Sequence, residues 1–109
     1  ITKHNFMKII HSKEFSSKIP WDSIDIANMN GITTRLHWSN KEYKWHTNDG
    51  DEVFVVLDGK VKMLYRVNGE EKSTLLNEGD IFYAAEGDEH VAHPIGEVRV
   101  LVIEKEGSV

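Results

Sequence analysis

"EVFVVLDGKVKMLYRVNG", Glu52 to Gly69, carries the clearest β-strand pattern in the chain. After Glu52, the run to Leu57 is apolar on both faces, as in a strand covered on each side or lining a closed barrel. Asp58-Gly59 then reads as a hairpin turn. In the next segment Val61, Met63, Tyr65 and Val67 alternate with Lys60, Lys62, Leu64 and Arg66, the period-two signature of a half-buried strand. Asn68-Gly69 reads as a second hairpin turn.

The pattern continues in both directions. Downstream, "EKSTLL", "IFYAA", "HVAH" and "VRVLVIE" are short β-type runs. The turns "NEGD" and "EGDE" separate the first three, and Pro94 with Gly96 closes the segment before the last. Upstream, "ITTRLHW" (Ile32–Trp38) is rich in β-branched and aromatic residues. Turn signals recur about every ten residues with almost no helical periodicity, which predicts a small antiparallel sandwich or barrel. The first 30 residues are mixed and can hold a short strand and a turn of helix. They are expected to form an N-terminal arm (1–30) packing on a barrel domain (31–109).

At 109 residues the chain suits one domain. The net charge of −5 and scattered lysines argue against nucleic acid as a partner. No cysteine is present, which excludes disulfides, thiolate metal sites and cysteine nucleophiles. No run suits a membrane span, and "FMKII" is too short for a signal peptide, so a cytoplasmic location is expected. Met7 leaves open that the six residues before it are an extension.

Six histidines are present. His4 and His11 lie in a polar stretch and read as surface residues. His46 and Asn48, two apart in an extended segment, share a face. Glu52 follows the turn Asn48–Asp51 and can return beside them. On these residues alone, the segment is either a hydrophilic loop with a surface histidine or part of a metal site.

"HTNDGDEVFVVLDG" and "GDIFYAAEGDEHVAHP" together resemble the two motifs of the cupin superfamily, in order and with a two-strand spacer. The first has His46, Asn48 where a second histidine is usual, Glu52 and Gly59. The second has Gly79, Ala85 where proline is usual, Glu86, Gly87 and His90, with Pro94 in place of an asparagine. The resemblance covers about half the chain, Trp45 to Pro94. It implies a cupin-type antiparallel β-barrel (a double-stranded β-helix or jelly roll) with its metal ligands meeting inside. Carried over by residue, His46, Asn48, Glu52 and His90 are the implied ligands. Two imidazoles, a carboxylate and a weak amide donor suit Mn, Fe, Ni, Co or Zn.

His37, one strand upstream, either points into the same cavity as a general base or is a wall histidine bonded to a backbone carbonyl. His93, three residues after His90, faces the opposite side of a strand. Arg35, Tyr43 and Arg66 are candidates for contacting an anionic substrate, or else face outward. The expected function is a small-molecule-binding cupin, as a metal-dependent isomerase or oxygenase acting on a sugar or small acid. The alternative is a non-catalytic binding or sensing protein, with or without metal. Neither a nucleophile–base pair nor a nucleotide-binding loop is evident. Exposed edge strands and the N-terminal segment lead to an expected homodimer.

Overall fold

The computed structural model describes residues 7–108. His4 and the segment preceding Met7 lie outside the described residues. Seven strands follow a single 3-10 turn at Ser12–Glu14: β1 (Asp22–Met29), β2 (Ile32–Ser39), β3 (His46–Thr47), β4 (Glu52–Val67), β5 (Glu70–Leu76), β6 (Ile81–Ala84) and β7 (Glu89–Lys105). All pairings are antiparallel. The main path is β1-β2-β7-β4-β5, with β3 also pairing β7 and β6 also pairing β4. The segment read as an arm thus supplies the 3-10 turn and strand β1, which is integral to the sheet. Among the described residues, no helix is long and apolar enough to cross a membrane.

The long β4–β7 ladder shapes the molecule. Glu52 pairs with Glu104 at one end, and Tyr65 pairs with His90 at the other. A straight strand would separate Glu52 from Tyr65 by roughly 40 Å. Yet Glu52 lies 3.0 Å from His90, the partner of Tyr65, so the ladder is folded back on itself. The fold-back occurs at register shifts around Leu57–Gly59. Here the inward phase changes from Glu52, Phe54 and Val56 to Val61 and Met63, as an extra residue in a strand requires.

Two sequence readings are corrected here. Asp58-Gly59 is no hairpin turn but a bulge inside one continuous strand, because both flanking segments pair with β7 rather than with each other. Pro94 and Gly96 do not end a segment either: β7 runs through both. By contrast, Asn68 and Gly69 have φ of 53° and 77°, and they connect β4 to β5 as a tight hairpin.

The folded ladder encloses a core of Phe54, Val56, Val61, Met63, Val98 and Val100, among others, with Val56, Val61, Met63, Val98 and Val100 fully buried. Each such side chain contributes about 1.5–3 kcal/mol by leaving water. Arg99, 7% exposed, lies at the bulge end on the face of β7 opposite Val98 and Val100. It donates to Asp58 Oδ2 (2.6 Å), the Phe15 carbonyl (2.7 Å) and Ser16 Oγ (2.9 Å), and pairs with Glu97 (2.9 Å). This fastens the N-terminal segment to the barrel.

Gly59 has φ of 82°, and a Cβ there would lie 2.4 Å from the Glu97 carbonyl oxygen and 2.9 Å from Val98 Cγ1. Neither the backbone conformation nor the space admits a side chain. Gly59→Ala is therefore expected to lower the free energy of unfolding by about 2–4 kcal/mol, measured by urea denaturation. An unchanged midpoint would show that the fold-back tolerates a Cβ.

Candidate metal centre

Three segments bring the donors together. His46 on β3 is the direct cross-strand partner of His90 on β7, and their rings lie 4.3 Å apart. Asn48 follows β3 and is held by its backbone: its N–H donates to the Asp88 carbonyl (2.8 Å), and its carbonyl accepts from Gly87 N–H (2.8 Å). Glu52 opens β4 and arrives from the opposite wall, because the ladder is folded back. His90 Nε2 ends 3.0 Å from Glu52 Oε1 and 2.8 Å from Asn48 Oδ1. Asn48, Glu52 and His90 are all buried.

The donor atoms of His46, Glu52 and His90 lie within 4.8 Å of one another. Ligands bonded to one ion at about 2.0–2.2 Å sit no more than roughly 4.2 Å apart, so small side-chain shifts suffice to enclose a metal. The chemistry also fits. His46 Nδ1 is 3.1 Å from the Lys44 carbonyl. Donating there leaves Nε2 as the free lone pair, the arrangement common to ligating histidines. Burial lowers the His46 pKa, against the opposing pull of the Lys44 carbonyl and with a smaller push from His90, which favours the neutral ring a metal needs. His90 Nδ1 is the exception, buried with no partner. These side chains can hold a divalent metal.

A cavity of about 180 Å³ opens onto the cluster. His37, Arg35 and Tyr43 line it, whereas Arg66 and His93 do not. His37 Nδ1 is 3.3 Å from the Trp21 carbonyl, so His37 is both a cavity residue and a carbonyl-bonded one. Burial lowers its pKa, partly offset by that carbonyl. Arg66 is held by Glu89 (2.7 Å) and stacks 3.9 Å over the Trp45 ring, and His93 pairs with Glu42 (3.0 Å). His11 is exposed.

Trp21 and Glu104 are among the cavity residues that the sequence reading did not single out. Glu104 continues the inward phase of Val98, Val100 and Val102, and a carboxylate in that phase was the available signal. Its cross-strand partners are Glu52 and Thr33. Burial and then the Glu52 charge raise its pKa to about 7, against the pull of Arg35. Trp21 has φ of 63°, rare for a bulky residue, and carried no sequence signal.

Comparisons with known proteins agree with this architecture. A cupin-2 domain containing protein from Shewanella frigidimarina is similar over 86% of this chain and 87% of its own, at 27% identity and a TM-score of 0.74. A protein from Neisseria meningitidis is similar over 91% of this chain and 100% of its own, at 21% identity and 0.71. HppE, solved with Co(II) and substrate, is similar over 68% of this chain and 44% of its own, at 18% identity and 0.59. No family model and no curated protein matches the sequence. Fold and cluster define a small antiparallel β-barrel with a metal-type donor group inside. The chain thus has a cupin-type β-barrel fold and is similar to small cupin-2 domain proteins.

A carboxyl with a pKa higher in the folded than in the unfolded state weakens the fold as pH rises. For Glu104 both states are protonated below about 4.5, and the penalty grows until about 7. In metal-free protein, the stability of Glu104→Gln relative to wild type should rise by about 1–2 kcal/mol between pH 4 and 8, after allowance for solvent screening of a half-buried group. Urea unfolding across that range measures it. A constant difference would place the Glu104 pKa near its ordinary value.

Proposed function

We propose that His46, Glu52 and His90, assisted by the Asn48 amide oxygen, hold one divalent transition metal, and that this centre acts on a small molecule admitted by the cavity. The observation that carries the reading is the convergence of the three donor groups within 4.8 Å in a buried site beside a cavity. Two imidazoles and one carboxylate suit non-haem iron, and also manganese, cobalt, nickel or zinc. HppE, similar in fold, is solved with Co(II) and with Fe(II), which supports the reading without choosing an ion.

Such an ion supplies Lewis acidity and open coordination positions, suited to isomerisation or oxidation. The protein's own residues divide the remaining work. The Lys44 carbonyl orients His46. His37, with Nδ1 on the Trp21 carbonyl and a lowered pKa, offers Nε2 as a neutral base. One observation favours the alternative, a non-catalytic binding protein: His90 Nε2 already has two oxygen partners without an ion.

Elemental analysis of untagged protein purified without added metal tests the proposal. Close to one transition-metal ion per chain is expected in wild type, and very little in His90→Ala. Sub-stoichiometric metal unaffected by the substitution would overturn it. Asn48→His should tighten zinc binding on the order of tenfold, about 1.4 kcal/mol, by replacing a weak amide donor with imidazole. An unchanged affinity would show that Asn48 does not act at the ion.

A further inference from the structure

The chain has three arginines, Arg35, Arg66 and Arg99, and only one has its terminal amino groups uncommitted. Arg66 is held by Glu89 and Trp45. Arg99 spends its donors on Asp58, Glu97, Phe15 and Ser16. Arg35 touches Asp25 through Nε at 2.9 Å, yet that buried N–H makes no directed hydrogen bond. Among the described residues, neither terminal amino group of Arg35 pairs with a protein acceptor, and the side chain lines the cavity beside the donor cluster.

Register fixes where this cation sits. Arg35 pairs with Val102, which pairs with Phe54; one step toward the open end, Thr33, Glu104 and Glu52 form the next row. Arg35 therefore lies two strands and one row from Glu52, with Val102, Phe54 and the Glu104 carboxyl between them. Trp21 and Tyr43, packed edge to face at 5.3 Å, supply further cavity wall. A cavity of about 180 Å³ is close to the size of a void that holds benzene. A space of that size beside the cluster seats a ligand with a short carbon body.

We infer that the cavity takes small carboxylic acids bearing a 2-hydroxy or 2-oxo group, with Arg35 binding the carboxylate and the neighbouring oxygen directed at the donor cluster. The inference rests on the proposed metal centre for the second contact, but its anion contact belongs to Arg35 alone. A guanidinium fork matches a carboxylate in two parallel hydrogen bonds, which a neutral hydroxyl or amide cannot reproduce. Among the ligands expected from sequence, a sugar or a small acid, the acid is selected.

Isothermal titration of Mn(II)-treated protein with lactate and pyruvate, and with lactamide as the neutral counterpart of lactate, tests this. At least one acid should bind with a dissociation constant below about 10 mM, and lactate should bind at least tenfold more tightly than lactamide. Arg35→Met should weaken acid binding about 10- to 100-fold, the range for losing charge-assisted hydrogen bonds. It should leave lactamide binding and manganese stoichiometry unchanged, and Arg35→Lys should restore part of the loss. Equal affinity for lactate and lactamide, no acid binding below that limit, or an Arg35→Met variant that binds acids like wild type would each overturn the inference. Manganese content is measured on the same samples. Arg35-dependent acid binding without manganese would support the anion site while sinking the metal reading, and manganese without acid binding would do the reverse.

Discussion

The fold-back at Gly59 is the constraint on which the rest depends. Without it, β4 and β7 would form a long flat ribbon, with Glu52 and His90 at opposite ends. With it, the two halves of one ladder face each other across an interior, and residues far apart along the strands become neighbours. The barrel's core and its donor cluster thus arise from the same local event, a glycine at φ of 82° pressed against the Glu97 carbonyl. Arg99 reinforces the same point from the other face of β7, neutralising Asp58 and Glu97 beside the register shifts.

The interior so created is divided in character. Valines and Met63 fill the bulge end, whereas carboxylates and imidazoles gather at the open end. Glu52 and Glu104 face each other across the ladder, a repulsive pair. A single positive side chain, Arg35, stands near both. The open end is therefore held with its charges unresolved, and the binding of a cation or an acid there acts on charges that the fold has already assembled.

Much of this was legible in the sequence, and the failures share a cause. The strand of β2, the alternation from Val61 to Val67 and the Asn68-Gly69 turn follow from local propensity. His46, Glu52 and His90 followed from spacing on strands and a likeness of motifs. Asp58-Gly59 misled because glycine at positive φ serves a hairpin and a bulge equally well, and only the pairing partner distinguishes them. Pro94 misled because it is tolerated within β7 opposite Val61, beside a register irregularity. Glu104 was visible as a carboxylate in an apolar phase, but its role depended on a register with Glu52 that no local pattern reveals. Trp21 was invisible, because its place at the cavity comes from how the N-terminal segment is fastened.

The position of β7 has a kinetic consequence. Among the described residues this is the last strand to be synthesised, yet it pairs with β2, β3 and β4. The earlier strands can form only the β1–β2 and β4–β5 hairpins and the β4–β6 pairing before it appears. Core closure, the donor cluster and the Arg99 clamp must then form together, through contacts between distant parts of the chain. Folding of this kind is slow and leaves paired but unclosed strands exposed on the ribosome. The nascent chain thus passes through an interval in which its open sheet edges are available to other chains.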